Sequence, residues 1–247
     1  MTPVQHTASE DFALLSRLYA EQHAAGATDY LADHARTSVV LHQVNVFRWY
    51  VRHIQAGTSV LDWGSNHGPD ACLLRHWFGD AIDLHACDFV PEDTFRVFRD
   101  YAKAAYSRIF DPLTLPYPAG RFDAAVGSGV LEHTAMDGEA LKELYRILRP
   151  LGLLVVTYVP YAYSWAEWWQ RNIRKRDFHR RVYTRRGLAA LLKSHGFYPL
   201  ELEFQTTVPN VVEGKQPTWW TRLGRVFRYP LPSHAVLCCV AQKMIAM

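Results

Sequence analysis

Three carboxylates stand near the ends of consecutive apolar segments in this sequence: Asp62, Asp88 and Asp111. If the segments are parallel strands, the acids lie at one edge of the sheet, where open α/β sheets bind their ligands. Asp88 ends the second segment, where an acid can accept hydrogen bonds from a ribose diol. Asp111 could accept one from the exocyclic amine of adenine. Because three negative charges repel a polyphosphate, the pattern favours a cationic nucleoside.

Gly64 and Gly68 form a small-residue turn directly after the first of these segments. Glycine permits positive φ angles and a close approach of the backbone to a ligand, so the turn predicts a ligand across the carboxyl end of the strand. Asn66 stands where the dinucleotide fingerprint G-x-G-x-x-G has its second glycine, which disfavours nicotinamide binding.

Short apolar runs alternate with helix-like segments from residue 58 onward, which is typical of repeated βαβ units. The first 55 residues show helical spacing instead, interrupted by Gly26 and by a polar linker at 32–37. We therefore expect a helical cap over residues 1–55 and a doubly wound, Rossmann-like α/β domain over residues 56–247. The predicted strands are 59–63, 82–86, 107–110, 122–128, 151–158, 198–204 and 234–241, and the predicted helices are 71–77, 94–101, 139–148 and 187–194.

Five motifs follow one another between residues 58 and 157: Val60-Leu61-Asp62-Trp63-Gly64, Asp88, Asp111-Pro112-Leu113-Thr114-Leu115-Pro116-Tyr117, Phe122-Asp123 with Val130-Leu131-Glu132-His133, and Leu148-Arg149-Pro150-Leu151-Gly152. In this order they resemble the class I S-adenosylmethionine-dependent methyltransferases, in particular the small-molecule, type 11-like branch. The resemblance continues at 183–197. It implies a seven-stranded, mostly parallel sheet with an antiparallel last strand, S-adenosylmethionine as the cofactor, and methyl transfer as the reaction.

The resemblance also implies which residues hold the methionyl part of the cofactor. Gly64 and Gly68 would pass beside it, and Asp62 would lie near its ammonium group. Ser65-Asn66-His67 replaces the commoner small Cys-Gly-x run of the family. Ser65 and Asn66 are therefore predicted cofactor residues, and Asn66 or His67 is expected to help hold the cofactor carboxylate.

The nucleoside part of the cofactor would lie against the later motifs. The resemblance places Asp88 on the ribose hydroxyls, Phe89 against the adenine face and Asp111 on the adenine amine. Pro112 stands where the family commonly contacts adenine through a backbone N–H, which proline lacks. Ser128, at the end of the fourth predicted strand, completes the predicted cofactor set.

Glu132 and His133 follow the fourth predicted strand and would face the same crevice. Methyl transfer needs an in-line nucleophile held in position, and a base helps when that nucleophile is a hydroxyl. Since histidine accepts protons near neutral pH, His133 with Glu132 is the candidate catalytic pair. The alternative is structural, because the family shares Leu-Glu-His whatever the substrate. The pair could belong to a metal site, but no third ligand at a recognisable spacing supports one, and no metal is predicted.

Two segments outside the cofactor motifs, 159–186 and 207–233, concentrate aromatic and basic residues. They could be a solvated face, a surface for anionic membranes, a site for an anionic acceptor such as a phosphorylated or lipid-linked sugar, or a nucleic-acid surface. We favour a lid over an acceptor pocket, with peripheral contact to anionic membrane as an option. Nucleic acid is the least favoured partner, because Val159-Pro160-Tyr161 lacks the Asn/Asp-Pro-Pro-Tyr/Phe motif of amino-methylating nucleic-acid enzymes.

The composition is that of a globular protein with a sizeable core: 247 residues, 49% hydrophobic and 21% charged. The net charge of +3 does not by itself indicate nucleic acid. The four cysteines are too few and too irregularly spaced for a disulfide framework and are expected as buried thiols. No segment approaches the roughly 20 apolar residues of a spanning helix, so we expect a cytoplasmic protein.

These observations favour methyl transfer from S-adenosylmethionine to a small-molecule or lipid/glycan-linked acceptor, with oxygen preferred over nitrogen or carbon. The alternative from a different functional class is an inactive, methyltransferase-like binding or scaffold protein. The sequence does not indicate an oligomeric state.

Overall fold

Seven strands form one sheet in the order β3-β2-β1-β4-β5-β7-β6. The first five strands pair in parallel, and β7 lies antiparallel between β5 and β6. This arrangement confirms the predicted α/β fold class with its antiparallel last strand. The strands are β1 Ser59–Trp63, β2 Asp83–Asp88, β3 Ala105–Arg108, β4 Phe122–Ser128, β5 Leu148–Pro160, β6 Phe197–Thr206 and β7 Ala235–Lys243. The structure is a computed structural model that describes residues 6–26, 29–111, 113–173, 179, 181–206 and 235–245.

Eight helices accompany the sheet in the described part of the chain: α1 Ala8–Gly26, α2 Asp29–His34, α3 Thr37–Tyr50, α4 Pro69–Phe78, α5 Arg96–Ala102, α6 Asp137–Ile147, α7 Trp165–Asn172 and α8 Arg185–Ser194. None of these helices combines the length and the apolar character that crossing a membrane requires.

The core lies on both faces of the sheet, because alternate strand residues point to opposite faces. On β1, Val60 packs with the N-terminal helices, α4 and α5, whereas Leu61 and Trp63 pack with α6 and α8. All four cysteines are free and buried, as expected. The N-terminal helices share the first of these clusters, so their apolar faces complete the core on that side of the sheet.

Most predicted element boundaries differ from the observed ones by one or two residues, and three of the differences are explained by local contacts. Strand β3 lies two residues earlier than 107–110, because its pairing with β2 ends at Arg108 and leaves Phe110 exposed. Strand β5 begins at Leu148 rather than at 151, since Leu148 already pairs with Phe122 on β4. The predicted linker 32–37 contains the end of α2, which is anchored by the buried side chain of Leu31.

Gly127 on β4 leaves room for the ring of Trp63 on the neighbouring strand. A side-chain carbon at Gly127 would lie 2.5 Å from Cε3 of Trp63, which is itself buried. We expect Gly127→Ala to lower the free energy of unfolding by about 1–3 kcal/mol, because the ring has no free space to move into. Urea denaturation measures this, and combining Gly127→Ala with Trp63→Leu should recover part of the loss. Additive losses in the double variant would contradict the proposed overlap.

Candidate active site

The turn after β1 is built on two glycines with positive φ, +67° at Gly64 and +84° at Gly68. The backbone N–H groups of Gly64 and Ser65 both donate to the carbonyl oxygen of Cys87, at 2.9 and 3.1 Å. A side-chain carbon at Gly64 would lie 2.6 Å from Cγ2 of Val130. Glycine is therefore required there for space as well as for its φ angle, and the turn lies directly against the segment that follows β4.

Asp62 is buried at the end of β1, and its Oδ2 has no hydrogen-bond partner within the described residues. Burial and the neighbouring Asp70 carboxylate raise the pKa of Asp62 well above its usual value, although the charge of Arg99 opposes the shift. A buried charge without a partner is costly, so a cationic group bound at this turn would stabilise the carboxylate. A carboxylate in this environment suits the ammonium group that the resemblance implies near Asp62.

Asp70, near the start of α4, is held by hydroxyl groups. Tyr50 donates to its Oδ1 at 2.5 Å, and Ser128 contributes a second hydrogen bond. Burial raises the pKa of Asp70, while these two bonds oppose the rise. Ser128 also accepts a bond from Thr157 at 2.8 Å. The structure thus gives Ser128, a predicted cofactor residue, contacts within the protein at this edge of the sheet.

Asp88 and Phe89 follow β2 on the other side of the turn. The carboxylate of Asp88 accepts from the backbone N–H of Asn66 at 2.8 Å and from that of Val90 at 3.1 Å. A carboxylate has about four lone-pair positions, so both oxygens can accept further bonds, as ribose hydroxyls would require. Phe89 is 48% exposed and presents a free aromatic surface beside it. The two residues therefore lie side by side at the end of β2, and their contacts with a nucleoside stay a prediction.

Asp111 is exposed, and its side chain forms hydrogen bonds within the loop that follows β3. Its carboxylate accepts from the backbone N–H of Leu113 at 2.9 Å and from the hydroxyl of Thr114 at 3.1 Å. Pro112, the predicted departure from the family pattern, lies outside the described residues, and so does the segment 207–233. Phe110, next to Asp111, is 81% exposed and is contacted by the Arg108 guanidinium at 5.1 Å from its ring centroid.

Arg99 on α5 is a residue of this site that the motifs do not indicate. Its guanidinium donates to Oγ of Ser65 at 3.1 Å and also to the backbone carbonyl oxygen of Asn66. It lies 4.0 Å from the ring centroid of Tyr106, which fixes its plane. Arg99 therefore holds the glycine turn from the side of α5 and places a positive charge near Asp62.

The N-terminal helices contact the same turn through tyrosines. The hydroxyl of Tyr19 lies 2.7 Å from Nε2 of buried His67, and the side chain of Asn66 donates to the hydroxyl of Tyr30 at 3.0 Å. His67 is thus bonded within the protein, which favours a packing role for it over contact with a ligand carboxylate. No spacing in the sequence links these residues, because their contacts are tertiary.

Burial makes His67 a source of acid sensitivity. It lowers the pKa of His67 to about 3, and the charges of His34 and Arg99 act in the same direction. In the unfolded chain the imidazole takes up a proton near pH 6.5, so the unfolded state binds more protons and stability falls as the pH drops below that value. We expect this residue to remove about 2 kcal/mol of unfolding free energy between pH 7 and pH 5.

Urea denaturation at several pH values tests this expectation. His67→Gln should unfold with a weaker pH dependence than the wild type, whatever its stability at pH 7. His23→Gln, at an exposed position on α1, is the matched control and should keep the wild-type dependence. Equal pH dependence in the two variants would contradict the role of His67.

Glu132 and His133 lie on a short 3₁₀ turn, Leu131–His133, directly after β4. Glu132 is buried, its Oε2 has no hydrogen-bond partner within the described residues, and burial raises its pKa to about 7. The His133 side chain is 51% exposed, and its Nε2 lies 3.9 Å from Oε1 of Glu132. The pair therefore combines a buried carboxyl group with an accessible imidazole, next to the glycine turn.

His179 joins this pair from the segment 159–186. One ligand atom from each of Glu132, His133 and His179 lies within 4.8 Å of the others. Nδ1 of His179 lies 2.7 Å from Oε1 of Glu167 on α7. Sequence spacing did not indicate His179, because it stands 46 residues after His133 and the contact between them is tertiary.

Arg181 and Tyr183, which follow α7 in the chain, bond the residues that come after the turn Leu131–His133. The guanidinium of Arg181 donates to the backbone carbonyl oxygens of Thr134 and Ala135, at 2.5 and 2.7 Å. The hydroxyl of Tyr183 donates to Asp137 at 2.9 Å. These contacts place part of the predicted lid segment beside Glu132 and His133.

Comparison with known proteins identifies the family of this chain. Residues 26–202 match the methyltransferase domain family. The demethylmenaquinone methyltransferase of Thermus thermophilus is 32% identical over 122 residues, which are 46% of this chain and 54% of that protein. The match therefore spans about half the length of this curated relative.

Solved structures share the fold at low sequence identity. The 1,6-didemethyltoxoflavin-N1-methyltransferase of Burkholderia thailandensis, solved with 1,6-didemethyltoxoflavin and S-adenosylhomocysteine, has a TM-score of 0.61 and 19% identity over 98% of this chain and 94% of its own. The 4+2 cyclase SpnF has a TM-score of 0.59 and 19% identity over 84% of this chain and 82% of its own. Since one of the two is described as a cyclase, the shared fold does not by itself define the reaction.

Proposed function

The chain belongs to the methyltransferase domain family, and on that premise we propose that it transfers a methyl group from S-adenosylmethionine to a hydroxyl group of a small-molecule or lipid/glycan-linked acceptor. The observation that carries the cofactor assignment is the buried carboxylate oxygen of Asp62, which has no hydrogen-bond partner in the described residues. A cationic ligand beside the glycine turn would supply that partner.

The methionyl part of the cofactor is assigned to the glycine turn. Gly64 and Gly68 admit it to the backbone, Asp62 pairs with its ammonium group, and Ser65 and Asn66 line the turn. When bound, S-adenosylmethionine supplies an electrophilic methyl group on its sulfonium. Arg99 keeps the turn in shape by holding Ser65 and Asn66.

The nucleoside part is assigned to the ends of β2 and β3. Asp88 accepts from the ribose hydroxyls, Phe89 covers one face of the adenine, and Asp111 with Pro112 borders its amine. Ser128 supports this edge of the sheet through its bonds to Asp70 and Thr157.

Glu132 and His133 are proposed as the pair that activates the acceptor hydroxyl. Val130, two residues before Glu132, packs directly against Gly64 of the glycine turn. Glu132 and His133 therefore follow a residue that contacts the proposed cofactor site. His133 can accept the hydroxyl proton through its exposed imidazole. A second means of activation, through an ion held by both residues, is developed in the next subsection.

The segment 159–186 is proposed as a lid over the acceptor side of the site. It belongs to a proposed methyltransferase domain over residues 56–247, and residues 1–55 form a proposed helical cap on that domain. Support comes from Arg181 and Tyr183, which bind the loop after Glu132 rather than projecting from the surface. The segment 207–233 is assigned to the same lid on sequence grounds. The bonding of Arg181 within the protein favours a lid over a membrane or nucleic-acid surface.

Calorimetric titration tests the cofactor, and a radiolabelled methyl-transfer assay tests the reaction. We expect binding of both S-adenosylmethionine and S-adenosylhomocysteine, followed by transfer of label to a hydroxyl compound in an acceptor panel. Demethylmenaquinone belongs in the panel because the curated relative is named for it. If neither cofactor form binds, the chain is a scaffold of the family fold; if label reaches only demethylmenaquinone, the hydroxyl assignment is wrong.

A further inference from the structure

Three potential metal ligands meet beside the proposed acceptor position. Glu132 and His133 come from the turn after β4, and His179 comes from the segment after α7. Their ligand atoms lie within 4.8 Å of one another. Zinc bonds to nitrogen and oxygen ligands measure about 2.0–2.2 Å, so donor atoms around one tetrahedral ion lie about 3.3–3.6 Å apart. Opposing side-chain shifts of about 0.7 Å each would close a separation of 4.8 Å to that range.

The ring of His179 is held as a metal-binding histidine commonly is. Nδ1 of His179 lies 2.7 Å from the Glu167 carboxylate, so its other nitrogen remains available as a ligand. Arg171 donates to the backbone carbonyl oxygen of His179 at 2.6 Å and also pairs with Glu167 at 3.6 Å. Such carboxylate–histidine contacts fix the tautomer and orientation of a ligating imidazole.

Charge supports a cation at this point. The Glu132 carboxyl group is buried, and its Oε2 has no hydrogen-bond partner within the described residues. A bound cation would stabilise its charged form, which burial otherwise disfavours. Two imidazoles and one carboxylate form a donor set that suits zinc and related first-row ions and does not suit magnesium, which prefers oxygen ligands.

We propose that Glu132, His133 and His179 bind one divalent first-row transition-metal ion, with Glu167 orienting the His179 ring. Three protein ligands leave at least one coordination position open, as in catalytic metal sites. If the proposed function holds, on which this consequence rests, the acceptor is a hydroxyl compound whose oxygen takes the open position. The ion would lower the pKa of such a hydroxyl, so that its proton passes to solvent water and the oxygen is in its nucleophilic form for attack on the sulfonium methyl, with S-adenosylhomocysteine as the leaving group. Metal binding itself does not depend on the proposed function.

Titration of the tag-free full-length chain with Zn²⁺ and with Co²⁺, after removal of metals by chelation, tests the site. We expect one equivalent of each ion to bind, and Co²⁺ to show a visible spectrum without the near-ultraviolet charge-transfer band of a thiolate ligand. The four cysteines are buried and none of them belongs to this cluster of ligand atoms, so a thiolate band would overturn the assignment. Absence of binding, or a preference for Mg²⁺ over Zn²⁺, would overturn it as well.

Variants locate the ion. His179→Ala should weaken Zn²⁺ binding at least about tenfold, and Glu167→Ala by about 10–100-fold, the usual effect of removing a group that orients a ligand. His23→Ala removes an exposed histidine on α1 and should bind as the wild type does. Circular dichroism and the melting temperature confirm that each variant folds. Wild-type affinity in His179→Ala, or an equal loss in His23→Ala, would refute the site.

The activity measurement is kept separate from the binding measurement. If the ion binds at this cluster and a methyl-accepting hydroxyl compound is found, chelation should lower the transfer rate and Zn²⁺ or Co²⁺ should restore it. If the ion binds but no methyl transfer is detected, the metal site stands and the proposed function fails. If methyl transfer occurs at full rate without bound ion, the catalytic role of the metal is wrong.

Discussion

His133→Ala is expected to lower the turnover number for the methyl acceptor by about 10²–10⁴, the range typical of a residue that assists proton transfer. The affinity for S-adenosylmethionine should stay unchanged, because the described hydrogen bonds of the glycine turn and of Asp88 do not involve His133. Single-turnover kinetics gives the rate of transfer, and calorimetry with S-adenosylhomocysteine gives the affinity. His23→Ala is the matched control and should behave as the wild type. Unchanged turnover in His133→Ala would remove the residue from the mechanism.

The same variant separates the two ways in which His133 could act. If His133 is a metal ligand, chelation should lower the wild-type rate to that of His133→Ala and should leave the variant unaffected. If His133 accepts the proton directly, chelation should leave the wild-type rate unchanged. The comparison is informative because effects that work through one group are not additive.

Asp88→Ala is expected to weaken cofactor binding by about 100-fold. Hydrogen bonds to a charged acceptor contribute about 1.5–3 kcal/mol, and the ribose hydroxyls would lose that acceptor. The variant would also lose the bonds from the backbone of Asn66 and Val90, at 2.8 and 3.1 Å, which hold the glycine turn against the end of β2. Calorimetric titration with S-adenosylmethionine and S-adenosylhomocysteine measures the change.

Two further variants test whether the carboxylate itself is responsible. Asp88→Asn keeps one acceptor oxygen, so its affinity should fall between that of the wild type and that of Asp88→Ala. Asp93→Ala removes an exposed acid from the 3₁₀ turn that precedes α5 and controls for the change in net charge. A wild-type dissociation constant in Asp88→Ala would show that the ribose is held elsewhere.

The elements that local pattern defines were predictable from the sequence. Strands β1 and β4 begin and end where their apolar runs begin and end, because both are central strands covered on two faces. Thr184 caps α8, since its side chain accepts from the backbone N–H of Gly187 at 2.9 Å, and threonine is a residue type that favours N-cap positions. Gly196, which follows the end of α8, has a left-handed φ of +81°, a conformation that glycine adopts without steric cost. In each case the signal lies within a few residues of the feature.

The features that depend on distant parts of the chain were not predictable in this way. Arg99 bonds Ser65 from a position 34 residues later in the chain, and His179 lies near Glu132 although 47 residues separate the two. Strand β5 begins before Pro150, because Leu148 already pairs with β4. A proline near the start of a segment would by itself argue against a strand there. Such contacts arise from the packing of whole elements, and a single sequence carries no spacing rule for them.

The tyrosines of the N-terminal helices have a consequence for engineering the chain. Tyr19, Tyr30 and Tyr50 each bond a residue in or just after the glycine turn, namely His67, Asn66 and Asp70. A chimaera that exchanges this N-terminal segment for another would therefore lose the hydroxyl groups that hold the turn. If the turn binds the methyl donor as proposed, we expect the exchange to change donor affinity, so the three tyrosines have to be transplanted with the segment.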